Sequence, residues 1–263
     1  VAVGGRRWAW LAVLLVGVAL VLLVLVALIG TRNVLLVPVL IVLGAAVVPA
    51  AFLTFVQGRS GQWQVPGSVV TVAALLGGLI GVIAAAAIEY DTLRRLGALP
   101  AVLIGLTEET AKLVVPALIL LLWRRRPRSP GDGLVIGVAS GAGFAALETM
   151  GYAFTALLAS SGNLGTVEQI LLARGLTAAV VHPSWTGVAA GALFALAAGP
   201  SAGRWLAFAV TLLAVVALHA SWDAAGSPLA YAVIALVSLG WLLWQLHRHR
   251  RPTVPTPEPG GAA

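Results

Sequence analysis

Eight apolar runs of 18 to 25 residues follow one another along this chain, at residues 8–29, 34–56, 69–88, 100–123, 134–158, 176–198, 205–223 and 229–246. About 20 apolar residues make a helix long enough to cross the core of a bilayer. Only 10% of the 263 residues are charged, and the mean hydropathy is +1.01. A soluble domain carries about a quarter charged residues. The expected fold is therefore all-α, a polytopic transmembrane helix bundle of about eight spans embedded in the lipid bilayer. The first run exceeds the roughly 7–15 residues of a signal-peptide core and reads as a retained helix. Val1 is what a processed or alternative start leaves. The Pro/Gly-rich stretch after Arg251 offers little to bury in a core and is expected to be disordered. The expected division is a transmembrane unit at residues 1–251, its motif-bearing core at 100–226, and a cytoplasmic tail at 252–263.

Charge gives the orientation. The sixteen basic residues outnumber nine acidic ones, for a net +7. They sit mainly between the apolar runs, where they set topology, and imply no nucleic-acid partner. The N-terminus, the connections after the second, fourth and sixth runs, and the C-terminus hold Arg6, Arg7, Arg59, Arg124, Arg125, Arg126, Arg128, Arg204, Arg248, Arg250 and Arg251. The opposite connections hold Arg32, Arg94, Arg95 and Arg174. Eleven against four places both termini in the cytoplasm. Fifteen of the sixteen basic residues are arginine; with abundant Ala, Val, Leu and Gly this suggests a GC-rich bacterial genome. The absence of cysteine excludes disulfides, thiolate metal sites and a cysteine nucleophile.

Seven ionisable residues interrupt the apolar runs: Glu108, Glu109, Lys112, Glu148, His182, His219 and Asp223. Each costs roughly 2.5–3.5 kcal/mol or more at bilayer depth, so their presence implies use. Lys112 follows Glu108 by four residues and Glu109 by three, and is expected to pair with one of them while the other does chemistry. His219 and Asp223 are four apart on one helix face, a spacing that suits two ligands of one metal ion. Glu148 follows Gly141 by seven residues on the same face, which points it into the bundle. The glycines at 77, 78 and 81, at 133, 137 and 141, and at 187 and 191 read as close helix packing.

Two further arguments gather these residues into one site. Glu108, Glu109, Glu148 and Asp223 against Lys112 leave a formal −3 in low dielectric, which demands protons, water or a bound cation. At 1.5 Å of rise per residue, Glu108, Glu109, Glu148, His182 and His219 all fall at about 9–14 Å from the extracytoplasmic side, with Asp223 nearer the rim.

The ordered set Glu108-Glu109-x-x-Lys112, Phe144-x-x-x-Glu148, His182 and His219-x-x-x-Asp223 resembles the PrsW family of intramembrane proteases, relatives of the CAAX prenyl endopeptidases and Abi proteins. Arg174, eight residues before His182, is similar to part of the family's third motif. The resemblance implies peptide-bond hydrolysis within the membrane of a bacterial cell, in a multi-pass inner-membrane protein. The substrate it implies is a membrane-anchored protein such as an anti-sigma factor. It implies Glu108 and Glu109 as the catalytic pair, one of them activating water, with Lys112 as their partner. Glu148, His182, His219 and Asp223 follow as metal ligands, or as groups that stabilise an oxyanion. The implied cofactor is a divalent metal, zinc by class, although the CAAX-like relatives also admit a metal-free glutamate mechanism. Glu148 stands where those relatives commonly have histidine, and Lys112 where they have arginine, which favours the PrsW branch. A transporter that uses the buried acids and histidines as an ion relay is the competing reading.

Overall fold

The computed structural model describes residues 7–59, 65–97, 100–122 and 129–249. The expected tail at 252–263 lies outside these, as do Arg6, Arg124, Arg125, Arg126, Arg128, Arg250 and Arg251 of the topology argument. Eight helices make up the described chain: α1 Ala9–Thr31, α2 Leu36–Arg59, α3 Gly67–Leu96, α4 Ala101–Leu122, α5 Pro130–Ala159, α6 Leu164–Ala198, α7 Ala202–Asp223 and α8 Pro228–Arg248. Helices satisfy every backbone group within the segment, as hydrocarbon requires. Seven of them are long and apolar enough to cross a membrane. The remaining one, α4, is 22 residues long and carries Glu108, Glu109 and Lys112 near its middle.

Capping chemistry sets several boundaries. Ser129, Asn163, Ser201 and Ser227 each turn a side-chain oxygen onto a first-turn amide of α5, α6, α7 and α8. Pro130 and Pro228 occupy the first helical positions of α5 and α8. Two helices run well past their apolar runs. α3 continues beyond residue 88 to Leu96, closed by left-handed Gly97 and braced by Asp91 and Arg95 at 2.6 Å. α6 begins at Leu164, twelve residues before the apolar run at 176. This corrects the placement of Arg174, which lies inside α6 rather than in a connection. The added turns contain Glu168 and Gln169 and were too polar to count as a span, while Leu164, Val167, Ile170 and Leu171 pack on α1, α2 and α5.

α5 and α6 are the most extensively packed pair, and α3 packs closely on α5. The glycine patterns make this contact. A methyl group on Gly133 would meet the Ala190 carbonyl at 2.6 Å, and one on Gly141 would meet the His182 carbonyl at 2.6 Å. On the other side of α5, Gly78 lies against the Gly143 backbone and Gly81 against Phe144. α5 is thereby sheathed on two faces, and most of its residues from Gly131 to Ala145 are buried. α4 leans on α3 and α7, where Gly105 faces the Val216 carbonyl and the His219 side chain. This close approach brings α4, α5, α6 and α7 together at one level.

Candidate active site

Lys112 stands at the centre. Its side chain is fully buried, and its ammonium reaches Glu109 Oε1 at 2.7 Å, Glu108 Oε2 at 3.0 Å and His182 Nδ1 at 2.9 Å. The fourth side is closed by the Phe144 ring, 4.0 Å from Nζ. The sequence expectation that Lys112 takes one acid is corrected here: it holds both. Positions three and four residues back both neighbour it on the helix surface, and a four-carbon stem lets one ammonium bridge them. Removing one partner of such a buried cluster costs about 3–5 kcal/mol, because charge is left uncompensated.

Local backbone chemistry helps to hold Lys112. Pro116, four residues on, has no N–H for the Lys112 carbonyl, so the helix leaves that acceptor open. Ser140 of α5 supplies the missing bond, its hydroxyl donating to the Lys112 carbonyl at 2.8 Å. α4 and α5 are therefore tied at the residue that carries the central charge.

Glu109 and His219 form the second contact across helices. His219 Nδ1 lies 2.7 Å from Glu109 Oε1. A ring that donates from Nδ1 to a carboxylate presents its Nε2 lone pair on the other side. That Nε2 faces Glu108 Oε2 at 3.5 Å and Asp223 Oδ2 at 3.6 Å. Glu109 Oε2 is buried and has no hydrogen-bond partner among the described residues. On the far side, His182 Nε2 lies 3.1 Å from Glu148 Oε2, and Arg174 Nη2 lies 2.6 Å from the same oxygen. Arg174 also stacks 3.9 Å above the Tyr152 ring.

Aromatic rings wall the two histidines. Trp185 stacks on His219 with centroids 5.0 Å apart, meets His182 edge-on at 5.3 Å, and donates from Nε1 to Ser238 of α8 at 2.8 Å. Trp222 and Tyr231 continue the wall outward. The polar cluster is thus closed on its α8 side by a hydrogen-bonded indole. Trp185 was visible in the sequence only as the neighbour of a histidine motif.

The structure brings together all seven residues singled out in the sequence. Glu108, His182 and His219 each offer one donor atom, and these lie within 4.8 Å of one another, all buried. Two imidazoles and a carboxylate form the donor set of many catalytic zinc sites, and their separation fits ligation of one ion. Glu148 and Asp223, which the sequence placed among the ligands, lie outside that group. Glu148 is drawn to Arg174, a residue eleven positions into α6 that hydropathy assigned to a loop. Asp223 lies at the rim with its side chain 28% exposed. One further carboxylate, Glu89 of α3, was missed. It falls one residue past the apolar run that ends at 88, where the sequence read as a connection.

The sequence model of the PrsW family intramembrane metalloproteases matches residues 65–245. The chain belongs to the PrsW family. It is a multi-pass membrane protein and a membrane-embedded endopeptidase, whose substrate is likewise embedded in the membrane. The PrsW match begins at the foot of α3 and ends near the close of α8, so it takes in Glu89 as well as the four sequence motifs. No curated protein and no solved structure matches the chain.

Proposed function

We propose that this protease cuts a peptide bond of a membrane-anchored regulator, such as an anti-sigma factor, in a bacterial inner membrane, using a water activated by Glu109. The transmembrane unit at residues 1–251 acts as one catalytic domain, with its machinery within 100–226. The observation that carries the reading is the state of Glu109. One oxygen is locked by Lys112 and His219, while the other is buried and unpartnered beside the Glu/His/His group. An oxygen so placed accepts the proton of an attacking water and returns it to the leaving amine. Glu108, His182 and His219 are the residues that would hold a metal. A divalent ion bound there, zinc by class, would supply Lewis-acid polarisation of the scissile carbonyl. Glu109 orients His219 through Nδ1, Asp223 stands beside the Nε2 of that ring, and Glu148, held by Arg174, meets His182.

One observation favours a second, metal-free reading. A charged lysine only donates, so His182 accepts on Nδ1 and a neutral ring then keeps its hydrogen on Nε2. In that tautomer His182 directs its Nε2–H at Glu148 Oε2, 3.1 Å away, and a developing oxyanion beside it would share that donor.

The test is cleavage of a membrane-anchored reporter by protein reconstituted in liposomes. Glu109→Gln should lower kcat roughly 100- to 10,000-fold, the range of a lost general base. Glu108→Gln should be inactive as well, with both variants still inserted and folded. Full cleavage by both would overturn the catalytic assignment. Proton or ion flux through wild-type liposomes, without cleavage, would favour the transporter reading.

A further inference from the structure

Glu89 is the site carboxylate that the chemistry above leaves unused. It belongs to the α3 face that packs into the bundle: Gly77, Gly81 and Ala85 are buried at successive turns, and Glu89 is the next. Gly81 touches Phe144 and approaches the Lys112 backbone. Glu89 stands eight residues further on, about 12 Å along the helix toward the end where α4 begins. Its neighbours Ile88 and Tyr90 are exposed toward lipid, whereas Glu89 is half-buried. Oε1 of Glu89 is sealed from solvent and has no hydrogen-bond partner among the described residues. Sharing the helix face of Gly81, it is turned to the side of α3 that meets Phe144 and Lys112.

Its surroundings decide what it can bind. Glu108 and Glu109 share Lys112, and Glu148 has Arg174. Among the described residues Glu89 has no ion pair, and Arg95, further along α3, is taken by Asp91. A half-buried carboxylate with no ion pair is stabilised by a cation or a strong donor brought to its open side. No basic side chain among the described residues meets it, which leaves it available to a donor from outside the chain.

We propose that Glu89 is a specificity-determining residue of the protease, which receives a lysine or arginine side chain of the substrate close to the bond that is cut. The inference rests on the proteolytic reading of the site. A long basic side chain near the end of a span reaches the interface by snorkelling. Glu89 sits between the catalytic level and the end of α3, so it can hold such a side chain while the adjoining segment lies at Glu109.

The experiment uses the full-length protein in liposomes and a single-span reporter with Lys, Ser or Glu scanned through the residues flanking the cleavage point. The readout is the ratio of kcat/KM for the Lys reporter to that for the Glu reporter. A ratio within one enzyme does not depend on the fraction of folded protein. At the position that faces Glu89, the wild type should favour Lys roughly tenfold or more, as for a charge-assisted hydrogen bond. Glu89→Gln should bring the ratio toward one, Glu89→Lys should invert it, and Glu89→Asp should retain most of it. An equal ratio in wild type, Glu89→Gln and Glu89→Lys at every scanned position would overturn the inference and leave the protease intact. A wild type that cleaves no reporter would instead remove the proteolytic reading, and this inference with it.

Discussion

At the scale of single residues, the site is built from pairs of nitrogen and oxygen atoms with divided tasks. His219 gives Nδ1 to Glu109 and turns Nε2 toward Glu108. His182 turns Nδ1 to Lys112 and Nε2 to Glu148. Each ring is fixed through one nitrogen, so the chemistry of the other is set by a neighbouring side chain. The two rings differ in one respect. His219 is held by an acceptor, and His182 by a donor. Metal analysis of purified protein separates the two readings. With Glu108, His182 and His219 as ligands, wild type should retain about one divalent ion per chain, and His182→Ala should lose it. A wild type that is active and metal-free would establish the glutamate mechanism, with His182 as a donor.

At the scale of elements, catalysis depends on how closely helices approach. α5 carries glycine at 141 where α6 carries His182. A methyl group there would meet the His182 carbonyl oxygen at 2.6 Å, Pro183 Cα at 2.8 Å and Thr186 Oγ1 at 2.9 Å. Backbone atoms cannot give way, so α6 would have to move and take His182 with it. Overpacking of this kind costs about 1–3 kcal/mol. Gly141→Ala should therefore lower the thermal midpoint and suppress cleavage. Gly151→Ala, on the same helix with nothing within 4 Å of the added methyl group, should change neither. Equal activity in the two variants would show that the α5–α6 contact does not position His182. The tie between Ser140 and the Lys112 carbonyl acts in the same way between α5 and α4, made necessary by Pro116.

At the scale of the whole molecule, the site lies toward the end of the bundle where α3, α5 and α7 finish and α4, α6 and α8 begin. The eleven-to-four arginine asymmetry of the sequence predicts that this end faces away from the cytoplasm. Substrate would then be cut near the outer end of its anchor. Single cysteines introduced at Ser161 and Arg128, in a chain that has no cysteine of its own, report the orientation. An impermeant thiol reagent applied to intact cells should label position 161 and not position 128. The reverse pattern would invert the topology and the face on which cleavage occurs.

The sequence by itself determined the class of this protein. Long apolar runs permit only helices in lipid, and a charge placed inside such a run is too costly to be incidental, so Glu108, Glu109, Lys112, Glu148, His182, His219 and Asp223 stood out against their surroundings. Spacing also showed which of them share a helix face. Hydropathy failed where helices leave the apolar zone: it ended α3 before Glu89 and started α6 after Arg174, since polar turns at a membrane surface look like loops. Partner choice across helices was decided only by tertiary structure. Glycine contacts set the approach of α3, α5 and α6, and that approach determines that Lys112 with its two acids meets His182, that Glu148 lies between Arg174 and His182, and that Glu108 joins His182 and His219. Such choices depend on distances of a few ångströms between segments up to 110 residues apart, as between Glu109 and His219, and a one-dimensional pattern carries no such distances.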